Sequence, residues 1–305
     1  MSVAVSLSVR GLAAGYGRRR SVADHGDAGP VLAGLDAELG AGECLAVVGR
    51  SGCGKSTLLH VLAGLLPPTA GEVRVGGLEV ATADWAASGS SGCRSGHAAY
   101  MFQQDLLLPW KRVLANAVFA AQVAPERQGG DLEERAAAIL REFGLGASMD
   151  ALPRELSGGM RQRVALARTL LLDRGLILLD EPFGSLDAFT RAEMRSWLLD
   201  VMESHPATWV LVTHDVGEAV LLGDHVAVLR GQPARLEGWT DVPLSRAERR
   251  GLAALEAGEG VGHGGGSAFG ASSGAGSGGA MAAQEKVAAV TVRIRGLLGS
   301  AGTIQ

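Results

Sequence analysis

Cysteine is almost missing from this 305-residue chain: three residues, Cys44, Cys53 and Cys93, share no C-x-x-C spacing, and an odd number cannot all pair. A disulfide framework and a metal cluster are therefore disfavoured, and reduced thiols in a cytoplasmic protein are the economical reading. No run of about 18 apolar residues occurs, so no segment is expected to span a bilayer. If the chain works at a membrane, it borrows another protein's helices. The opening segment, Met1 to Arg20, carries its charges after the apolar stretch, the reverse of a secretory signal. A large excess of one charge is missing too. The net charge of −4 gives no general pull toward nucleic acid or anionic lipid. What the chain does have is 47% apolar against 20% charged residues, enough for a full-sized core and against wholesale disorder.

Short apolar runs separated by turns, such as Val3–Val9 and Cys44–Val48, read as strands within residues 1–48. Leu58, Val61, Leu62 and Leu65 then follow the spacing of a half-buried helix, which Pro67 and Pro68 stop. Glu72–Val80 resembles a strand pair around Gly76-Gly77, and the small, polar stretch Ala86–His97 reads as a surface loop. From about Trp110 to Leu156 the pattern is helical, most clearly over Leu132–Phe143. Leu176–Leu179 and Trp209–Val212 are short, apolar and branched, as buried parallel strands are. The alternation predicts an α/β sheet wrapped by helices. Between Ala257 and Ala280, 11 of 24 residues are Gly, which predicts a flexible linker. Met281–Leu298 reads as a short helix or a strand.

Two segments carry chemistry. Gly49-Arg-Ser-Gly-Cys-Gly-Lys-Ser-Thr57 fits G-x-x-x-x-G-K-[ST], with a strand before it and a helix after it. Backbone N–H groups in such a turn converge on an anion, and the helix N-terminus adds partial positive charge. Gly49, Ser51, Gly52, Cys53, Gly54, Lys55, Ser56 and Thr57 are the candidate phosphate-binding residues. Lys55 suits the β- and γ-phosphates, and the Ser56 hydroxyl suits Mg²⁺. The second segment, Leu176-Ile-Leu-Leu-Asp-Glu-Pro182, is an apolar strand ending in two acids. At the C-terminal edge of a parallel sheet, Asp180 can hold Mg²⁺ and Glu181 can polarise an attacking water as general base.

With these in place, further elements fall in the order of a known family, and the chain resembles the ATP-binding cassettes of ABC transporters. Leu156-Ser-Gly-Gly-Met-Arg-Gln-Arg163 resembles the family signature, which other phosphate-loop enzymes lack. The resemblance implies that Ser157, Gly158 and Gly159 contact the γ-phosphate held by a second cassette, so the protein acts as a dimer. It implies that Gln103, following Phe102, contacts Mg²⁺ and the water, and that His214, closing its strand, holds the γ-phosphate. Ser185-Leu186-Asp187 resembles the loop that normally reads Ala-Leu-Asp, and Tyr16 falls where the family places an aromatic against adenine. The implied fold is a RecA-like core sheet with an antiparallel β subdomain and a helical signature subdomain at about 105–165. The cassette is expected over 1–235, with 236–305 a largely flexible, Gly/Ser-rich extension. Arg18–Gly29 and Ala86–His97 look longer or looser than in the usual cassette.

Leu107-Leu108-Pro109-Trp110 resembles importers of the nitrate, sulfonate and taurine group, which also includes importers of thiamine-pyrimidine precursors. This implies ATP and Mg²⁺ as ligands, a separate membrane permease, an extracytoplasmic solute-binding protein, and a peripheral place on the cytoplasmic face. The tail is too short and Gly-rich for the β-barrel regulatory domain that some importers append. Soluble relatives acting on ribosomes or DNA carry two cassettes or long coiled coils, and neither is present. A cassette that only switches on nucleotide is disfavoured by Asp180, Glu181 and His214 all being intact.

Overall fold

The computed structural model describes residues 3–16, 29–83, 96–124, 131–257 and 276–299, with backbone alone at 276–280. Its centre is a parallel array. Strand β3 (Cys44–Gly49) pairs in parallel with β8 (Thr208–Thr213) on one side and β9 (His225–Gly231) on the other. Beyond β8 come β7 (Leu176–Asp180) and β6 (Ala98–Met101), also parallel. β3, β7 and β8 are buried at every position, which is why they read as unbroken apolar runs without periodicity. Their alternate residues still part to opposite faces. Ile177 and Leu179 join one core with Trp209 and Leu211, whereas Leu176 and Leu178 join another with Val210 and Val212.

An antiparallel layer extends this sheet. β1 (Leu7–Ala14) pairs with β2 (Leu32–Leu39) and with β4 (Ala70–Val75), and β4 forms a hairpin with β5 (Leu78–Thr82) across Gly76-Gly77. Both glycines have positive φ, +59° and +79°, as that turn demands. β10 (Ala234–Asp241) joins the layer to the parallel array through β2 and β9. The first strand starts at Leu7, later than the apolar run at Val3 suggests, because pairing with Leu39 and Val75 begins there.

The helices cover both faces. α1 (Lys55–Leu62) stops short of Leu65, because Gly64 turns left-handed at φ +72° and its N–H bonds back to the Val61 carbonyl. Leu65 is left exposed. α2 (Val113–Val123) and α3 (Leu132–Glu142) pack with α4 (Gly158–Leu170) as the helical subdomain. Trp110 itself lies in a turn before α2. α5 (Ala188–Ser204) and α6 (Val216–Leu222) start on Asp187 and Asp215, whose carboxylates accept the first free N–H groups. α7 (Arg246–Ala257) opens with a capping box: the Glu248 carboxylate accepts the Ser245 N–H at 2.7 Å, and Ser245 Oγ accepts the Glu248 N–H at 3.2 Å.

The end of the chain corrects the expected boundary at 235, which falls inside β10. Residues 236–257 belong to the fold, and so does a final helix, α8 (Gly276–Gly299). Ala283, Val290 and Ile294 of α8 are buried against α6 and the outer sheet face, with Val287 half-buried between them. That i, i+4, i+7, i+11 stripe settles helix over strand. Gly238 lets α8 approach β10, since a Cβ there would fall 2.4 Å from Leu297 Cδ1. Of the Gly-rich stretch, 258–275 lies outside the described residues. So do nearly all of Arg18–Gly29 and Ala86–His97.

Candidate active site

Because β3, β6, β7 and β8 are parallel, the residues following each strand emerge along one edge of the sheet. Gly49 ends β3 opposite Leu229 of β9. A Cβ at Gly49 would lie 2.6 Å from the Leu229 carbonyl oxygen and 2.8 Å from Cys53 Sγ, so only glycine fits. The loop then turns through Gly52 (φ +76°) and Gly54 (φ +110°), the second being the N-cap of α1. Successive left-handed glycines aim N–H groups inward, as an anion nest requires.

Lys55 is 5% exposed. Its ammonium folds over the loop, donating to the carbonyls of Gly49 at 2.9 Å and Arg50 at 3.2 Å, and stands 4.0 Å from Glu181 Oε1. Ser56 Oγ donates to Asp180 Oδ1 at 3.2 Å. Thr57 Oγ1 is 3.3 Å from the Tyr16 hydroxyl. Tyr16 leaves its ring largely exposed at the mouth of the loop, with its hydroxyl 3.0 Å from His60 Nδ1.

Glu181 sits at the centre. Its Oε2 is 3.3 Å from His214 Nδ1 and 3.4 Å from Gln103 Nε2. It is held at φ +44°, a left-handed backbone that L side chains rarely adopt. Its N–H bonds to the Val212 carbonyl and its own carbonyl accepts the Gly184 N–H, and these bonds over-determine the strained turn. Gln103, Lys55 and His214 thus meet around the Glu181 carboxylate, bringing together four separate parts of the chain.

Ser157, Gly158 and Gly159 stand apart. Ser157 caps α4 by accepting the Met160 N–H at 3.2 Å. A Cβ on Gly158 would come 3.2 Å from Leu186 Cδ2, and one on Gly159 would come 3.0 Å from Thr190 Cγ2. Among the described residues no hydrogen bond or ion pair joins these three to Gly49–Thr57.

Residues 32–184 match the ABC transporter family. The chain belongs to that family. An aliphatic sulfonates import ATP-binding protein, SsuB 1 of Mesorhizobium japonicum, is 44% identical over 231 residues, covering 76% of this chain and 81% of the relative. SsuB of Rhodopseudomonas palustris is 41% identical over 257 residues, covering 84% and 82%. Among solved structures, the dimeric bacterial ABC transporter cassette MJ0796 superposes with a TM-score of 0.62 at 26% identity, covering 78% of this chain and all of that one. The same cassette in a post-hydrolysis dimer bound to ADP and Pi gives 0.61 at 25% identity. This ABC protein is a nucleotide-binding subunit and an ATPase. Among its described residues no helix is long and apolar enough to cross a membrane.

Sequence reasoning missed several residues of the cassette. Tyr100, the last residue but one of β6, donates a hydrogen bond from its hydroxyl to Asp180 Oδ2 at 2.9 Å. Burial first, then the Asp180 charge and that hydrogen bond, push its phenol well above the ordinary value, so the hydroxyl stays a donor. Glu218, 4% exposed, accepts the Thr213 hydroxyl at 2.6 Å, and Thr213 Oγ1 in turn accepts the Asp215 N–H at 3.0 Å. Burial pushes its carboxyl up, against the pull of Thr213 and the nearby Arg195 and Arg191. Asp105, just past Gln103, accepts from Arg161 at 3.1 Å, and Arg168 donates to the carbonyls of Asp105 and Leu106. These bonds tie the Gln103 loop to the signature helix. A tyrosine three residues before Gln103 and two arginines one helix-face apart are visible in the sequence, but only tertiary pairing gives them partners.

Proposed function

We propose that this cassette energises the import of small aliphatic sulfonates, as one of two copies bound to a separate permease on the cytoplasmic face of a membrane. The observation that carries the solute is the 44% identity to SsuB over most of both chains. Leu107–Trp110 adds to it, resembling importers of the same group. Pairing of two cassettes is supported by the dimeric state of MJ0796, and among the described residues Ser157–Gly159 make no hydrogen bond to their own chain's phosphate loop. An extracytoplasmic binding protein would deliver the solute to the permease. The formal charge of −4 argues against nucleic acid as a partner.

In this reading the N–H groups of the loop, with Lys55, take the β- and γ-phosphates of ATP, and Tyr16 lies against the adenine. Ser157, Gly158 and Gly159 of the second copy close the γ-phosphate from the other side with the N-terminal end of α4. Ser56 Oγ, an Asp180 oxygen and the Gln103 amide would hold Mg²⁺. All three offer hard oxygen donors, the kind Mg²⁺ takes. Mg²⁺, when bound, supplies positive charge that offsets the terminal phosphates. Glu181 accepts the proton of the attacking water, positioned by Gln103, while Lys55 and His214 balance charge at the γ-phosphate.

The test is transport in proteoliposomes holding the cassette with its permease and binding protein. ATP-dependent accumulation of an alkanesulfonate, without accumulation of nitrate, is expected. Accumulation of nitrate or of an aminopyrimidine instead would overturn the solute assignment.

A further inference from the structure

We propose that Tyr100 is a positioning residue for the divalent-cation side of the ATP site, holding the Asp180 carboxylate by the oxygen that Ser56 does not touch. The proposal rests on the reading of Ser56 and Asp180 given above. Asp180 is 5% exposed, and a buried carboxylate oxygen needs a donor. Ser56 Oγ meets Oδ1 at 3.2 Å and the Tyr100 hydroxyl meets Oδ2 at 2.9 Å. With both oxygens tied, the carboxylate cannot rotate about its last bond, and Oδ1 stays beside Ser56.

Tyr100 is itself braced. The Phe102 ring packs against it with centroids 4.4 Å apart, and the His60 ring meets it edge-on at 5.7 Å. His60 Nδ1 lies 3.0 Å from the Tyr16 hydroxyl. Tyr16, His60, Tyr100 and Asp180 therefore form a continuous line from the exposed aromatic beside the phosphate loop to the carboxylate. Neither His60 nor Tyr100 belongs to a motif, and both are explained by this line. Tyr100 is also the last residue but one of β6, three residues before Gln103, so the strand that leads into the Gln103 loop carries the donor to Asp180.

Tyr100→Phe tests this, because it keeps both ring contacts and removes only the O–H. Binding of a fluorescent ATP analogue is measured first in EDTA and then through a Mg²⁺ titration, alongside the thermal midpoint. Affinity in EDTA is expected to stay within about two-fold of the parent, while the half-saturating Mg²⁺ concentration rises roughly ten-fold, the usual effect of freeing a metal-ligating group. Unchanged Mg²⁺ half-saturation would overturn the proposal, as would an equal loss of affinity with and without Mg²⁺. Binding and hydrolysis by the parent protein that ignore Mg²⁺ would instead overturn the underlying reading of Ser56 and Asp180. His60→Ala is expected to shift Mg²⁺ half-saturation in the same direction, with no further shift in the double variant. Additive shifts would remove His60 from the line.

Discussion

Oε2 of Glu181 stands 3.3 Å from Nδ1 of His214, 33 residues further along the chain. The parallel register of β7 and β8 makes the contact, since Asp180 lies opposite Val212 and the two strands release their next residues side by side. The strained backbone of Glu181, pinned to the Val212 carbonyl, fixes where its carboxylate can reach.

A base held this way should be separable from binding. Glu181→Gln keeps the shape and the contacts to His214 and Gln103 but cannot take a proton at neutral pH. Hydrolysis is expected to fall by roughly 10²–10⁴-fold, the usual contribution of a positioned base, with ATP affinity retained. Phosphate release measured beside nucleotide binding checks this, and turnover at the parent rate would strip Glu181 of the role.

Gly49→Ala should act through packing. The new methyl would sit 2.6 Å from the Leu229 carbonyl oxygen, and that atom belongs to the β3–β9 ladder and cannot swing away. Forcing the strands apart should cost about 1–3 kcal/mol and displace the loop that follows. A lowered urea midpoint together with weaker ATP binding is expected, and an unchanged midpoint would contradict it.

How much of this was readable beforehand depended on whether a residue's role is local. Gly49–Thr57 and Asp180-Glu181 announce themselves, because a phosphate nest and a strand-end carboxylate need fixed residue types at fixed spacing. β3, β7 and β8 were readable because strands buried on both faces are apolar throughout. β10, with the sequence ARLEGWTD, has no such signature, and its pairing with β9 and β2 makes it a strand. α8 was masked by its small residues, since three buried positions in a Gly- and Ala-rich helix fix its face only once α6 and the sheet are there to meet them. Tyr100, Glu218 and Arg168 belong to the same class, because their partners lie far away in sequence.

The tie between α7 and α8 yields a pH prediction. Lys286 Nζ donates to Glu248 Oε1 at 2.7 Å, and Ser245 donates to Oε2 from both its N–H and its hydroxyl. These bonds hold the Glu248 carboxyl down to about 2, from an ordinary 4.5. A depressed carboxyl contributes stability that is complete above the unfolded value and lost as pH falls through the folded one. The difference in thermal midpoint between the parent and Glu248→Gln should therefore be flat above pH 4.5 and shrink toward pH 2. A difference that grows on acidification would contradict it.

Arg249 offers the sharpest test of how the end of the chain supports the site. It is 2% exposed, and its Nη1 donates to the carbonyls of Val220, Leu221 and Gly223 at 3.3, 3.0 and 2.5 Å. Those carbonyls end α6, whose last turn has no basic residue of its own, so α7 supplies the missing cap from a distance. Nη2 reaches Asp224 at 3.3 Å. Burial lowers the guanidinium below its ordinary value while Asp224 raises it, and the five-donor group stays charged. Arg249→Met fills similar volume but takes the donor away from the carbonyls and from Asp224 Oδ1, leaving Oδ2 on the Cys44 N–H, which should cost about 3–5 kcal/mol. Because α6 begins one residue after the His214–Asp215 pair, hydrolysis should fall as well, and Arg249→Lys should restore only part of either loss. Urea unfolding of the three proteins decides it: a Met variant within about 1 kcal/mol of the parent would show that water caps α6 as well as Arg249 does.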